Sequence, residues 1–262
     1  MIRILELFSG THSVGKVCKK KGWYIVSLDR DLDDPHNISD LHIKEDIMTW
    51  DYKKYPKDSF DVIWASPVCL WWSNLRMSSI GRKLKGMDRP FTREDLQNDI
   101  EKYGVPMVDK VREIIDYFYP KYYFIENPKT GSMKDYIVDL PFYDVDYCKY
   151  SDWGYKKATR FWTNVEGFIP KICSKDCENI IVSGKQKLHT SRNGCDKLIE
   201  DNGKLIRCNS KDLRIKYKDY PDITVKHKGD VSTNEFGRKT TILERYRIPE
   251  KLIEDLLENI NI

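Results

Sequence analysis

The sequence predicts an α/β fold with a mostly parallel, doubly wound sheet, and three observations predict it. Short apolar runs alternate with stretches of helical spacing. Each run closes on Gly, Ser, Pro or a carboxylate. The polar residues that could hold a ligand collect at those closures, where open α/β sheets bind their ligands.

Residues 2–8 form the first apolar run, ending at Ser9-Gly10, and Val14, Val17 and Cys18 continue at helical spacing up to Gly22. Residues 23–28 are a second strand ending at Asp29, and residues 42–47 a third ending near Asp46. Residues 60–65 are a fourth, running into Ser66-Pro67. Val108, Val111, Ile114, Ile115 and Phe118 share a helical face. Residues 122–125 are a fifth strand, closed by Glu126-Asn127-Pro128, and residues 156–164 are expected to supply two further strand edges. Near residue 170 the periodicity stops, and the chain to about 237 is rich in Lys, Asp, Asn, Gly and Cys. Within it, residues 199–205 read as a hairpin turning at Asn202-Gly203. Leu252, Ile253, Leu256, Leu257 and Ile260 then form an amphipathic stripe behind Pro249. The expected organisation is a catalytic domain at 1–169, an inserted lobe at 170–237, and a C-terminal helix at 238–262 that packs back on the first domain.

Composition agrees with a folded chain that does not enter a membrane. Of 262 residues, 40% are hydrophobic and 12% aromatic, too apolar for disorder, and 33% are charged. No run approaches the ~20 apolar residues of a membrane span, and the start lacks a secretory signal pattern. An intracellular location follows, in cytoplasm or nucleus, with the seven cysteines reduced and available for catalysis, metal binding or packing. Residues 170–230 hold 14 Lys and Arg against nine Asp and Glu, a local charge of +5 that leaves −1 for the remainder. A positive excess confined to one stretch suits a nucleic-acid contact surface.

The first turn is Phe8-Ser9-Gly10-Thr11-His12-Ser13-Val14-Gly15. Its glycines stand five apart, unlike a dinucleotide fingerprint, and no Gly-Lys-Ser/Thr follows, so a ligand without a pyrophosphate is favoured. Asp29 is placed to accept from ribose hydroxyls, Asp46 to accept an adenine amino group, and Phe8 to lie against the adenine face. The fourth strand delivers Cys69, a candidate nucleophile that needs local positive charge or a helix N-terminus to become a thiolate. The fifth delivers Glu126, and Arg160 lies on a later edge. Cys, Glu and Arg converging on one crevice would form a reactive constellation.

These segments resemble the 5-methylcytosine DNA methyltransferases, especially short members from phages and large DNA viruses. Leu5-Glu6-Leu7-Phe8-Ser9-Gly10 is similar to their cofactor motif, Ser66-Pro67-Val68-Cys69 to their Pro-Pro-Cys loop, and Glu126-Asn127-Pro128 to their Glu-Asn-Val motif. Thr159-Arg160 falls where their Gln-x-Arg-x-Arg motif lies. The resemblance covers residues 1–170 in motif order and resumes at the C-terminal helix. It implies a Rossmann-like class I fold, S-adenosylmethionine as cofactor and double-stranded DNA as partner, with a monomer as the default state. It further implies that Cys69 attacks cytosine C6, that Glu126 holds N3 and the exocyclic amine, and that Arg160 binds O2 and steadies the thiolate. Phe8, Ser9, Gly10, Asp29, Asp46 and Pro67 would line the cofactor site. Trp71, Trp72, Ser73, Arg76 and Asn127 would face the DNA, with the target base flipped out of the duplex. Val68 replaces the second proline of the loop, Lys156 and Ala158 replace the usual Gln and first Arg, and His12 stands where a second glycine is common.

In that family the stretch at 170–237 reads the target sequence, which makes Lys185, Lys187, Arg192 and Arg214 candidate phosphate or base contacts. It also holds Cys173, Cys177, Cys195, Cys208 and His189. The four cysteines are a candidate structural zinc site, with Cys173 and Cys177 as its knuckle. Three rival readings stay open: a methyltransferase-fold nucleic-acid binder without turnover, an RNA cytosine-5 methyltransferase, and an amino-methyltransferase. The last would expect an Asp/Asn-Pro-Pro-Tyr/Phe loop, which Ser66-Pro67-Val68-Cys69 lacks.

Overall fold

A computed structural model describes residues 1–31, 33–34, 37–183, 185–191, 196–201, 204–209 and 246–261; residues 183, 196–197, 199–201 and 204–209 are described by backbone alone. The chain divides into two compact units. The first comprises Met1–Val145, Ala158–Pro170 and Ile253–Ile262; the second comprises Asp146–Lys157 and Lys171–Leu252. The second therefore begins earlier in the chain than the expected insertion.

The first unit is built on the sheet. Strands β1 (Arg3–Leu7), β2 (Tyr24–Leu28), β3 (Leu41–Ile43), β4 (Val62–Ala65), β5 (Tyr122–Pro128), β6 (Phe142–Asp146) and β7 (Ala158–Thr163) stand in the order β3-β2-β1-β4-β5-β7-β6. The five strands from β3 to β5 are parallel, and β7 runs antiparallel to β5. This is the α/β, mostly parallel architecture expected from the alternating pattern. The order reverses between β1 and β4, which opens a crevice beyond their carboxyl ends.

Both faces are covered, so the central strands read as continuous apolar runs. Helix α1 (Ser13–Lys20) buries Val14, Val17 and Cys18, the spacing noted in the sequence. Short helices α2 (Asn74–Met77) and α3 (Arg93–Asp99) lead through a π turn at Ile100–Gly104 into α4 (Val105–Phe118). On α4, Val108, Val111, Ile114 and Phe118 are fully buried in one cluster with Leu5, Leu7, Ile63, Ile125 and Trp162 of the sheet. Trp64 stacks on Phe124, with ring centroids 4.6 Å apart, and meets the edge of Phe161. After α5 (Met133–Tyr136), the last helix, α6 (Glu250–Leu257), buries Leu252, Ile253, Leu256 and Leu257. Its C-terminal extension joins the first unit, where the Asn261 N–H donates to the Tyr122 hydroxyl.

Three details depart from the sequence reading. The third strand ends at Ile43, so Asp46 lies in the following turn. The fifth continues through Pro128, which places Glu126 and Asn127 inside the strand. Residues 156–164 supply one strand, β7, and its neighbour β6 comes from 142–146, which the sequence reading left unassigned.

Within the second unit, β8 (Ile180–Ser183) pairs antiparallel with β9 (Gln186–His189), and β10 (Asp196–Asp201) with β11 (Lys204–Asn209). The β10–β11 register ends at Asp201 opposite Lys204, as a hairpin around residues 202–203 requires. Buried Asn179 organises this unit. Its amide donates to the carbonyls of Cys148 and Ser151, and its oxygen accepts the Gly154 N–H.

Candidate active site

The turn after β1 is held in a conformation that few sequences favour. Phe8, Gly10 and His12 all have positive φ, at 59°, 50° and 52°. Left-handed backbone at a residue other than glycine costs about 1–2 kcal/mol, so the turn needs outside support. Ser9 N–H donates to the Leu28 carbonyl at 3.1 Å, and Gly10 N–H donates to Asp29 Oδ2 at 2.9 Å. Asp29 therefore sits at the carboxyl end of β2, as expected, with one oxygen committed to the turn. Its other oxygen accepts the Asp31 N–H at 3.0 Å. Ser9 Oγ is buried without a hydrogen-bond partner, a polar atom aimed at nothing in the protein. Asp46 accepts the Met48 N–H and lies 3.4 Å from the Arg30 guanidinium.

Glu6 is a site residue whose role the sequence reading missed. Its carboxyl is buried beneath the turn and accepts the N–H groups of Val14 and Gly15, at 3.2 and 3.1 Å, at the start of α1. A Cβ added to Gly15 would stand 2.9 Å from Glu6 Oε2, so a glycine is needed for this close approach. The signal was present: an acidic residue four places before the turn glycine, on a strand whose other residues are apolar.

Burial pushes the Glu6 carboxyl up to about 8, against the two N–H groups, which lower it. Between its ordinary value near 4.5 and about 8, the unfolded chain is ionised while the folded carboxyl keeps its proton. Stability from this group is therefore complete below about 4.5 and is lost as pH rises to about 8. Glu6→Gln is expected to flatten thermal stability across that window, by an amount on the order of a few kcal/mol. Melting curves for both proteins from pH 5 to 9 check it, and parallel profiles would refute the assignment.

Cys69 follows β4 and is partly exposed. The loop that carries it is tied to β5. Asn127 Nδ2 donates to the Pro67 carbonyl at 2.9 Å, and Ser132 N–H donates to the Trp72 carbonyl at 2.9 Å. Pro67 is buried beneath this contact, while Asn127 Oδ1 is buried and unpartnered. Ala65 registers with Leu7 and with Ile125, so the first turn and the cysteine loop leave the ends of β1 and β4 beside the part of β5 that bears Glu126. Glu126 is 6% exposed.

The other expected contacts are placed differently. Trp72 is a core residue, packed against Gly104 and Tyr136, which corrects its assignment to the DNA surface. Trp71 stacks on Tyr103, and Arg76 pairs with Asp99 while lying about 5 Å from the Trp71 and Phe91 rings. Ser73 caps α2 by accepting the Leu75 N–H. The loop exposes apolar Val68, Leu70, Leu75 and Met77 together with polar Asn74 and Ser78. Arg160 is held by Asp144, with Nε and Nη2 at 2.8 and 3.0 Å, and lies 3.5 Å over the Phe142 ring. Its register partner is Asn127, whereas that of Glu126 is Phe161, so pleating directs Arg160 and Glu126 to opposite faces. Arg160 is thus paired with Asp144, on the face of the sheet opposite to the Glu126 side chain. Lys185 and Lys187 are exposed in the second unit; Arg192 and Arg214 lie outside the described residues.

The second unit contains a separate cluster. Donor atoms of Cys148, Cys173, Cys177 and His189 all lie within 4.8 Å of one another. Cys173 and Cys177 meet as expected; Cys195 and the side chain of Cys208 lie outside what is described. Cys148, outside the expected lobe, and His189 complete the group.

No family model matches the chain. Over 183 residues it is 47% identical to a probable DNA (cytosine-5)-methyltransferase of Frog virus 3 (isolate Goorha), a match covering 68% of this chain and 79% of that protein. Among solved structures it is similar to a mutant DNMT2 of Spodoptera frugiperda, at 16% identity and a TM-score of 0.41, covering 80% of this chain and 62% of that one. The chain thus spans less than two thirds of the length of that insect protein.

Proposed function

The chain belongs to the DNA (cytosine-5)-methyltransferase family, and we propose that it transfers a methyl group from S-adenosylmethionine to cytosine C5 in DNA. The observation that carries this reading is the hydrogen bond from Asn127 to Pro67, which ties the Cys69 loop to the strand bearing Glu126 beside the cofactor turn.

The first turn fits the cofactor. Unpartnered Ser9 Oγ and the glycine turn face a ligand without a pyrophosphate, with Phe8 against adenine, Asp29 toward the ribose and Asp46 toward the adenine amine. S-adenosylmethionine supplies an electrophilic methyl group. Cys69 thiolate attacks C6 of a flipped-out cytosine and forms an S–C6 bond, while Glu126 protonates or hydrogen-bonds N3 and holds the exocyclic amine. The electron pair displaced to C5 would take the methyl group, with S-adenosylhomocysteine as the leaving group. Transfer of the C5 proton to water and departure of Cys69 as its thiolate would then restore the ring. Arg160 reaches cytosine O2 only by leaving Asp144. Exposed Val68 and Leu70 flank Cys69 with apolar side chains of the type that wedge between unstacked bases. The exposed Lys185 and Lys187 belong to the stretch with the +5 charge and suit phosphate contact. No helix among the described residues is long and apolar enough to cross a membrane. The viral relative is consistent with action on DNA inside a host cell.

Transfer of labelled methyl to matched duplex DNA and RNA tests the proposal. Label recovered as 5-methylcytosine in DNA is the expected result. Label confined to RNA, or on the exocyclic amine, would refute it.

A further inference from the structure

We propose that Cys148, Cys173, Cys177 and His189 bind one structural zinc ion that fastens the second unit. The spacing fits the ion. Tetrahedral zinc with Zn–S of about 2.3 Å and Zn–N of about 2.0–2.1 Å holds sulfur and nitrogen ligands about 3.6 Å apart. His189 Nε2 lies 3.5 Å from Cys173 Sγ and 3.5 Å from Cys177 Sγ. Three sulfurs and one imidazole in tetrahedral reach select zinc over the hard, oxygen-seeking cations.

The surrounding backbone is shaped for such an ion. Lys175 has a φ of 63°, which turns the chain between Cys173 and Cys177. Ser174 N–H donates to Asp176 Oδ1 at 3.0 Å inside this turn. Cys173 N–H donates to Asp146 at 2.8 Å. Lys156 Nζ meets both Asp146 and the Cys173 carbonyl at 3.0 Å. Two ion pairs stand around the cluster, Lys156 with Asp146 at 3.0 Å and Lys149 with Asp176 at 2.8 Å. Hydrogen bonds of this kind to the ligand segments hold the ligands in place before the metal arrives.

The donors also join distant parts of the unit. Cys148 lies on the segment Asp146–Lys157, which precedes β7, Cys173 and Cys177 open Lys171–Leu252, and His189 closes β9. Apolar burial among the described residues of this unit is modest, and metal binding would supply the missing folding free energy.

Zinc measured on the purified full chain tests the site. About one zinc per chain is expected, with a zinc-edge X-ray absorption spectrum showing three sulfur ligands and one nitrogen. Cys148→Ser and His189→Ala should lose the metal, whereas the Cys195→Ser, Cys208→Ser double variant should keep it. Absence of stoichiometric zinc, a four-sulfur spectrum, or loss of metal in the double variant would overturn the proposal. If Cys148→Ser does not fold, the spectrum of the unaltered protein decides.

Discussion

Cys69→Ser is expected to reduce 5-methylcytosine formation by about 10⁴-fold or more, the scale reached when a covalent nucleophile is removed. A serine hydroxyl is not ionised at neutral pH and would not add to C6. The substitution changes one atom at a partly exposed position, so the fold and the affinities for DNA and cofactor should be retained. Asn127 and Ser132 tie the loop through the Pro67 and Trp72 carbonyls, and the Cys69 carbonyl, which the substitution leaves in place, accepts the Trp72 N–H. Single-turnover methyl transfer, beside DNA binding, measures the effect. Unchanged transfer by the serine variant would remove covalent C5 chemistry from consideration and point to amino methylation. Lost transfer together with lost DNA binding would mean that Cys69 is structural.

Glu126→Gln is the second large effect, a fall of about 10²–10⁴-fold in kcat, the usual range for a positioned acid. Glu126 lies on β5 with its register partner Phe161 on the same face and is buried. Glutamine keeps the length and the packing but cannot pass a proton to N3. The effect should therefore fall on kcat, with little change in KM, because the loss is in the transition state. A change confined to KM would make Glu126 a binding group alone.

Most of the catalytic framework could be read from local pattern. Residues 2–8, 23–28 and 60–65 announce their strands because buried parallel strands are uninterrupted apolar runs. The α4 stripe is visible because one helical face meets the core. The first turn and Cys69 are visible because they follow such strands, whereas Glu126 lies within β5, past the apolar run that announced it. The different placements of Trp71 and Trp72 were not legible. Apolar residues in a loop carry no periodicity, so nothing in Trp71-Trp72 distinguishes the ring stacked on Tyr103 from the one sunk beside Gly104.

What the sequence by itself determined is the alternation of the first strands and helices and the turns after β1, β2 and β4, since these follow from spacing along the chain; β6 and the true ends of β3 and β5 did not. Tertiary structure alone decided which distant side chains meet. It set Arg160 against Asp144, turned Glu6 under Val14 and Gly15, and brought Cys148 to Cys173, Cys177 and His189. Each pairing joins residues from separate elements. Its energy depends on burial and on distances of a few ångströms, which exist only once the sheet and its crossings have formed.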